Sequence, residues 1–394
     1  MQILVGWDDP TQAELLSLYL DVEENTVQIT TSSTEFISAA AESGWDVVLM
    51  VLRFPDPDTG FETFLKIREV LPACPVVGVC DSEDTFQLAR FISAGLRSHV
   101  MRDSGGDFVF LLPQTLQSAV QAVRAEHDQK LAERLREEID SVRKLQESII
   151  PKNLYTPQGY GLTARYEPSQ ISVMGGRAVV MAGGDYYDVF SLDDEHLVIL
   201  LGDASGHGMK ACMSIMTMHT LVRMIRGREY SDTAQFVFEI NQRLCEQGVV
   251  TDEGGFITLL YAVLNPARCQ LEWTSAGHPL PIVHWLDEER VEIVGKNEDA
   301  GLPLGIYPDV DYESHTTAVA PRTRTLLYTD GLAEAFPSHE DYIEFGVEGI
   351  KKVLLENAGN DLESTLQALF DASHEFTKGT GRHDDTSVVL MERR

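Results

Sequence analysis

The sequence predicts a multi-domain protein: an α/β domain on a doubly wound parallel sheet, a long helical linker, and an α+β domain of largely antiparallel strands. Three observations lead there. The chain has 394 residues, more than one hydrophobic core ordinarily serves. From residue 1 to about 113 short apolar runs alternate with helical stretches, as βαβ units require. Beyond residue 150 the strand-like runs cluster and the helices separate from them, as in α+β domains.

In the first domain (1–113) the strand candidates are ILVGW, DVVLMVL, CPVVGVC and RSHVM, with helices around residues 12–22, 33–43, 61–71 and 83–94. Open sheets of this kind place their chemistry at the carboxyl ends of the strands. From 114 to 150 the chain has neither Gly nor Pro, and apolar residues fall at Leu116, Val120, Val123, Leu131, Leu135, Ile139, Val142, Leu145 and Ile149. Steps of three and four over that length predict one amphipathic helix. Its apolar stripe is narrow and its other faces are charged, which suits a coiled coil and a homodimer through residues 114–150. The alternative is a stripe packed on the chain's own domains. In the third domain (151–394) the strand-like runs are GLTARYEPS, RAVVMA, HLVILLGDAS, FITLLYAVLN, QLEWTSAG, LPIVHWL, RTLLYTDG and DTSVVLME. Helical blocks lie near 208–226, 233–247 and 361–376.

Charge narrows the function. With 62 acidic against 31 basic residues the formal net charge is -31, a field that repels nucleic-acid backbones and anionic lipid. Neither nucleic acid nor membrane is therefore an expected partner. The five cysteines (Cys74, Cys80, Cys212, Cys245, Cys269) are scattered and odd in number, which fits a reducing compartment. MQILVGW reads as a strand and not as a signal peptide, and no apolar run approaches the ~18 residues of a membrane span. The expected location is the cytoplasm.

Acidic residues recur where apolar strands stop and turn chemistry begins in the third domain: Asp185 in AGGDYYDVF, Asp203 in VILLGDASGHG, Asp330 in LLYTDGLAE, and Asp384 with Asp385 in GRHDDTSVVL. A carboxylate just past a buried strand is held rigidly, and several converging there ionise cheaply only around a cation. Oxygen donors without clustered Cys or His favour Mg²⁺ or Mn²⁺ over zinc. Gly183, Gly184, Gly202, Gly206, Gly208 and Gly331 beside them allow close backbone approach. Any one Asp-Gly after a strand is ordinarily just a turn, and Asp193–Asp194 in SLDDEH reads as such a turn. It is the recurrence at separate strand ends that points to a site.

Together GGDYYDVF, LGDASGHGMKACM, FITLLYAVLNP, TSAGHPLPIV, GLPLGIYPD, LLYTDGLAEA and HDDTSVVLM resemble the metal-dependent serine/threonine phosphatases of the PPM family, and more narrowly its SpoIIE/RsbU branch. The resemblance covers about residues 145–394 in order, including LQESIIPKNL. It implies an αββα sandwich of two antiparallel sheets with a binuclear Mn²⁺ or Mg²⁺ centre at one end. On it, Asp203 matches the carboxylate shared by both ions, and Ala204 the position whose backbone carbonyl binds one. Asp330 and Asp384 match carboxylates on the second ion, Asp185 the acid beside the first, and Asp385, Gly184 and Gly331 supporting positions. The implied chemistry is in-line hydrolysis of phosphoserine or phosphothreonine by water activated between the ions, without a phosphoenzyme. His207 and His383 lie near these motifs, where packing or solvation is the plainer role than proton transfer; His278 in SAGHP reads as a loop stabiliser. The segment ISVMGGRAVVMA, with Gly175–Gly176, departs from the family pattern and reads as an enlarged hairpin over 171–182.

The first domain resembles a response-regulator receiver, a flavodoxin-like fold, through its βα alternation, PVVGVC and AGLRSHVMRD. Receivers carry an acidic pair, an acceptor Asp, a hydroxyl residue and a Lys at successive strand ends. Matched here they are Trp7–Asp8, Val51, Cys80 and Arg102. A one-residue slip would bring in Asp9; Asp56 and Asp58 lie too far along the loop to replace the acceptor. Valine is neither nucleophile nor ligand, so a pseudo-receiver that is not switched by aspartyl phosphorylation is expected.

The combined expectation is a PPM-type phosphoprotein phosphatase using two Mn²⁺ or Mg²⁺ ions. Its substrate, from the resemblance, is a phosphorylated STAS-type anti-sigma-factor antagonist in a partner-switching pathway. The alternative is a non-catalytic adaptor that uses both domains for protein binding. A conventional two-component output protein is a weaker third, against which Val51 stands.

Overall fold

The structure, a computed structural model, describes all residues except 22–24, 43, 57, 104, 173–177, 181–182, 207, 229, 231, 248–253, 338–342 and 379–383. The chain divides into two compact units, Met1–Leu135 and Arg136–Arg394.

Unit 1 alternates strands and helices: β1 (Gln2–Gly6), α1 (Pro10–Leu20), β2 (Thr26–Thr30), α2 (Ser33–Ala40), β3 (Val47–Val51), α3 (Gly60–Val70), β4 (Val76–Cys80), α4 (Thr85–Ser93) and β5 (Ser98–Met101). All pairings are parallel, in the order β2-β1-β3-β4-β5. Helices on both faces explain why VVLMV and VVGVC are buried from end to end. β2 (TVQIT) is absent from the sequence-based expectation. It is an edge strand whose outward residues are polar, so it lacks the apolar run that betrays its neighbours.

The long helix α5 (Leu112–Ile149) spans 38 residues. Its first turns are core: Leu112, Leu116, Ala119 and Val120 are buried in unit 1. Leu131, Leu135 and Leu145 are exposed, so the predicted stripe is only partly consumed by the chain itself. Gln146, in the last turn, is buried in unit 2.

Unit 2 continues with β6 (Tyr160–Glu167), β7 (Gln170–Ser172), β8 (Ala178–Val180), β9 (Asp185–Ser191), β10 (Leu197–Ala204), α6 (Met209–Ile225), α7 (Thr233–Gln247), β11 (Ile257–Asn265), β12 (Gln270–Ala276), β13 (Ile282–Trp285) and β14 (Arg290–Ile293). It closes with β15 (His315–Ala318), β16 (Thr323–Tyr328), α8 (Asp330–Ala333), α9 (Gly346–Glu356), α10 (Leu362–Phe376) and β17 (Thr386–Arg393). Two five-stranded sheets form, β15-β12-β11-β10-β9 and β14-β13-β16-β17-β6, both antiparallel. β7 pairs with β8 as the predicted hairpin; its Gly175–Gly176 lies outside the described residues.

Side-chain alternation sets four layers. Along β10, Leu197, Ile199 and Leu201 join Leu327, Val389 and Met391 of the other sheet in an inter-sheet core. The intervening Val198 and Leu200 pack with Ile215, Val222, Phe236 and Ile240 of α6 and α7. On the second sheet Leu326, Val388 and Leu390 turn outward to Ile350, Leu366 and Phe370 of α9 and α10. The result is helix, sheet, sheet, helix, as the resemblance implied. Neither α9 nor β9, β14 and β15 stood out in the sequence, because each is short or interrupted by polar residues.

Candidate active site

The predicted carboxylates meet at one end of the two sheets, though by a different route from the one expected. Asp330 follows β16 and Asp203 lies at the end of β10, as a carboxylate past a buried strand should. Asp185 instead opens β9, and Asp384–Asp385 precede β17. Antiparallel pairing puts one strand's start beside its neighbour's end, so the correction leaves the convergence intact. Asp185 is registered directly opposite Asp203, and the Thr329 amide beside Asp330 donates to the Ser387 carbonyl at 3.0 Å.

Hydrogen bonds tie the sheets together at that end. Thr329 Oγ1 donates to Asp185 Oδ2 at 2.6 Å. Asp385 Oδ1 accepts from the Ser169 amide at 2.7 Å and Oδ2 from the Gly184 amide at 2.5 Å. The Asp385 amide in turn donates to Asp384 Oδ1 at 2.8 Å. Asp385 is thus fully engaged in bracing loops, in keeping with a supporting place. Two glycines are required by close approach. A Cβ on Gly184 would stand 2.8 Å from the Ala204 carbonyl oxygen and 3.0 Å from Asp203 Oδ1; one on Gly331 would stand 1.9 Å from the Asp385 carbonyl oxygen.

The electrostatics are those of acids crowded away from water. Burial, then the Asp203 and Asp385 charges, hold Asp185 well above the usual carboxylate range. Burial and then Asp330 push Asp203 up to about 9 and Asp384 up to about 7; Asp330 and Asp385 are also raised, chiefly by burial. Among the described residues, Asp185 Oδ1 and Asp330 Oδ1 are buried without a hydrogen-bond partner. Buried oxygens left unsatisfied among mutually repelling carboxylates fit a hard divalent cation. Among the described residues the trio of metal-capable side chains with ligand atoms all within 4.8 Å is Asp299, Glu313 and His315; it contains none of these acids.

One residue of the site escaped the sequence. Gln146 Oε1 accepts from the Gly183 amide at 2.8 Å, and Nε2 donates to the Gly183 and Asp185 carbonyls at 3.0 and 3.1 Å. The end of α5 therefore clasps the peptide on which Asp185 sits. A glutamine on a charged helix carries no signal of this; only its place in LQESIIPKNL could have drawn attention. His278 is buried, bonds through Nδ1 to Thr258 Oγ1 at 2.8 Å and is held neutral by burial, its pKa lowered to about 3, which suits a loop role. Asp193 turns the chain between β9 and β10. His207 and His383 lie outside the described residues.

In unit 1 the corresponding strand ends hold no carboxylate cluster among the matched positions. Val51 and Cys80 are core residues, and Trp7 is fully buried. Arg102 donates to both oxygens of Asp8 at 3.1 Å and to Gln12 Oε1 at 2.6 Å. Asp9 caps α1 by accepting from the Thr11 amide at 2.8 Å. Asp56 accepts from the Asp58 and Thr59 amides ahead of α3. Both acids are thus committed to local turns.

The two-sheet, four-layered architecture of unit 2 is that of the PP2C-type fold. The SiaA-PP2C domain of Pseudomonas aeruginosa superposes with a TM-score of 0.53 at 18% identity, over 67% of this chain and 98% of that one. Residues 193–394, just over half the chain, match the stage II sporulation protein E (SpoIIE) family, and the chain belongs to it. Residues 3–107 match the response regulator receiver domain. Among curated relatives, protein IcfG of Synechocystis sp. is 23% identical over 65% of this chain and 41% of its own length. Phosphoserine phosphatase RsbU of Bacillus subtilis is 26% identical over 54% of this chain and 59% of its own. The chain thus spans about half the length of the curated relatives it matches. No helix among the described residues is long and apolar enough to cross a membrane.

Proposed function

We propose that this chain is a metal-dependent phosphoserine/phosphothreonine protein phosphatase of a bacterial partner-switching pathway, regulated through its receiver-like unit. The observation that carries it is the set of buried acids at the shared end of two sheets, with oxygens on Asp185 and Asp330 that have no partner among the described residues. A non-catalytic adaptor has no use for such a cluster, because buried like charges cost stability without a cation.

Asp185, Asp203, the Ala204 carbonyl, Asp330 and Asp384 would hold two Mn²⁺ or Mg²⁺ ions, with Asp385, Gly184 and Gly331 in support. Bound there, the ions supply an acidified water near neutral pH and neutralise charge on a phosphoryl group. The chain's own part is placement. Thr329 and Gln146 fix Asp185, Asp385 ties the Gly184 loop to the second sheet, and Gly184 leaves the Ala204 carbonyl open. Residues 1–113 form the regulatory module, 114–150 the linker and 151–394 the phosphatase domain. The exposed leucines of α5 support a homodimer through the linker. A phosphorylated STAS-type antagonist remains the proposed substrate, supported by the likeness to RsbU. The free cysteines support a cytoplasmic place.

The test is Mn²⁺-dependent hydrolysis of a phosphoserine peptide, with Asp203→Asn and Asp330→Asn as controls. Wild-type activity no higher than that of the two variants refutes the enzyme. With Val51 buried at the acceptor position, beryllofluoride and Mg²⁺ should leave unit 1 unmodified, and a stable adduct detected by NMR would show that it is a working receiver.

A further inference from the structure

We propose that unit 1 binds a planar aromatic or heteroaromatic small molecule, neutral or cationic, in a cavity at the carboxyl end of its sheet. The residues that line it all belong to unit 1.

The cavity has a volume of about 890 Å³, within the range of small-molecule pockets. Its walls come from the segments after β1, β4 and β5 and from α1. In an open parallel sheet that crevice is where ligands are received. Aromatic side chains stand there, the inner pair buried and the outer pair exposed. Trp7 lies parallel to Phe108, with ring planes 6° apart and centroids at 6.3 Å. At the mouth Tyr19 meets Phe110 edge-on at 5.5 Å, yet Phe110 is 66% and the adjoining Leu15 52% exposed. Two large rings and a leucine open to water offer a stacking surface. Trp7, at the cavity's inner wall, is fully buried, and among the described residues its indole N–H has no hydrogen-bond partner.

Charge selects the ligand further. Asp8, Asp81, Glu83, Asp103 and Asp107 line the cavity, and among the described lining residues the cation is Arg102. That guanidinium is already engaged by Asp8 and Gln12. A phosphate or carboxylate ligand would enter a negative field, whereas a cationic ring gains from it and from the aromatic faces.

The test uses the full chain and three probes: proflavine (planar, cationic), 1-anilinonaphthalene-8-sulfonate (anionic) and AMP. Fluorescence anisotropy should show saturable binding of one equivalent of proflavine. Phe110→Ala, which removes a wall, and Leu15→Trp, which fills the mouth, should each weaken it about ten-fold, the worth of one stacking contact. Both positions are exposed, and circular dichroism would check that the variants remain folded. Asp107→Lys should weaken proflavine and not the anionic dye. Absence of saturable binding, affinity unchanged in both wall variants, or a preference for AMP or the anionic dye over proflavine would each overturn the proposal. The wall variants separate this cavity from general attraction to an acidic protein.

Discussion

Replacing Gln146 by alanine should disable the site without unfolding the protein. The side chain makes three hydrogen bonds, to Gly183 N, Gly183 O and Asp185 O, and is 1% exposed. Each is worth about 1 kcal/mol net, and the Gly183 amide left without a partner adds a desolvation penalty. The sum is about 4–6 kcal/mol, or a melting shift on the order of 8–24 °C for a domain of this size. Because the lost bonds hold the peptide of Asp185, activity should fall further than stability, by about a hundred-fold for a displacement near 1 Å. Gln146→Glu keeps the shape but turns a carboxylate toward two carbonyls, so it should not rescue. Differential scanning calorimetry and phosphopeptide hydrolysis at saturating Mn²⁺ are the assays. A Gln146→Ala variant that melts with wild type and retains its turnover would refute the clasp.

Three further outcomes are expected. Gly331→Ala must displace the Asp385 backbone, 1.9 Å from the new Cβ, and should lower turnover about a hundred-fold; unchanged kinetics would count against the close approach. Asp203 and Asp384 have folded pKa values raised to about 9 and about 7 from 3.8, so the cation-free fold binds protons more tightly than the unfolded chain. That contribution is complete below about pH 4 and disappears as pH rises toward 9. Chelated protein should therefore melt lower at pH 8 than at pH 5, and Mn²⁺ should raise the melting temperature more at pH 8; equal effects at both pH values would contradict the buried acid cluster. Leu131→Lys with Leu135→Lys, both at exposed positions of α5, should shift the species seen by light scattering from dimer to monomer, and a monomeric wild type would remove the coiled coil.

Much of this was written in the sequence because local physics carries it. The βα alternation of unit 1, the Gly- and Pro-free span of α5 and the runs that became β10, β11 and β17 are patterns of burial that each segment declares alone. The acids were legible as a group through glycines and turns beside them. Where a segment's role depends on what lies across from it, the chain was silent. β2 is a strand because β1 offers it an edge, not because TVQIT is apolar. Asp185 and Asp385 reach the site because antiparallel neighbours bring a strand's start to another's end, a relation that no single segment contains. Gln146 braces the acid cluster only through two peptide groups 37 and 39 residues away. Val51 reads as a missing acceptor, while the cavity lined by Trp7, Tyr19, Phe108 and Phe110 at that sheet's end takes its form only from the tertiary structure, from rings that burial and packing, not spacing, brought together. The sequence by itself determined the kinds of element and the chemistry available; long-range packing decided which groups meet, since hydrogen bonds and apolar contacts are satisfied between segments and not within them.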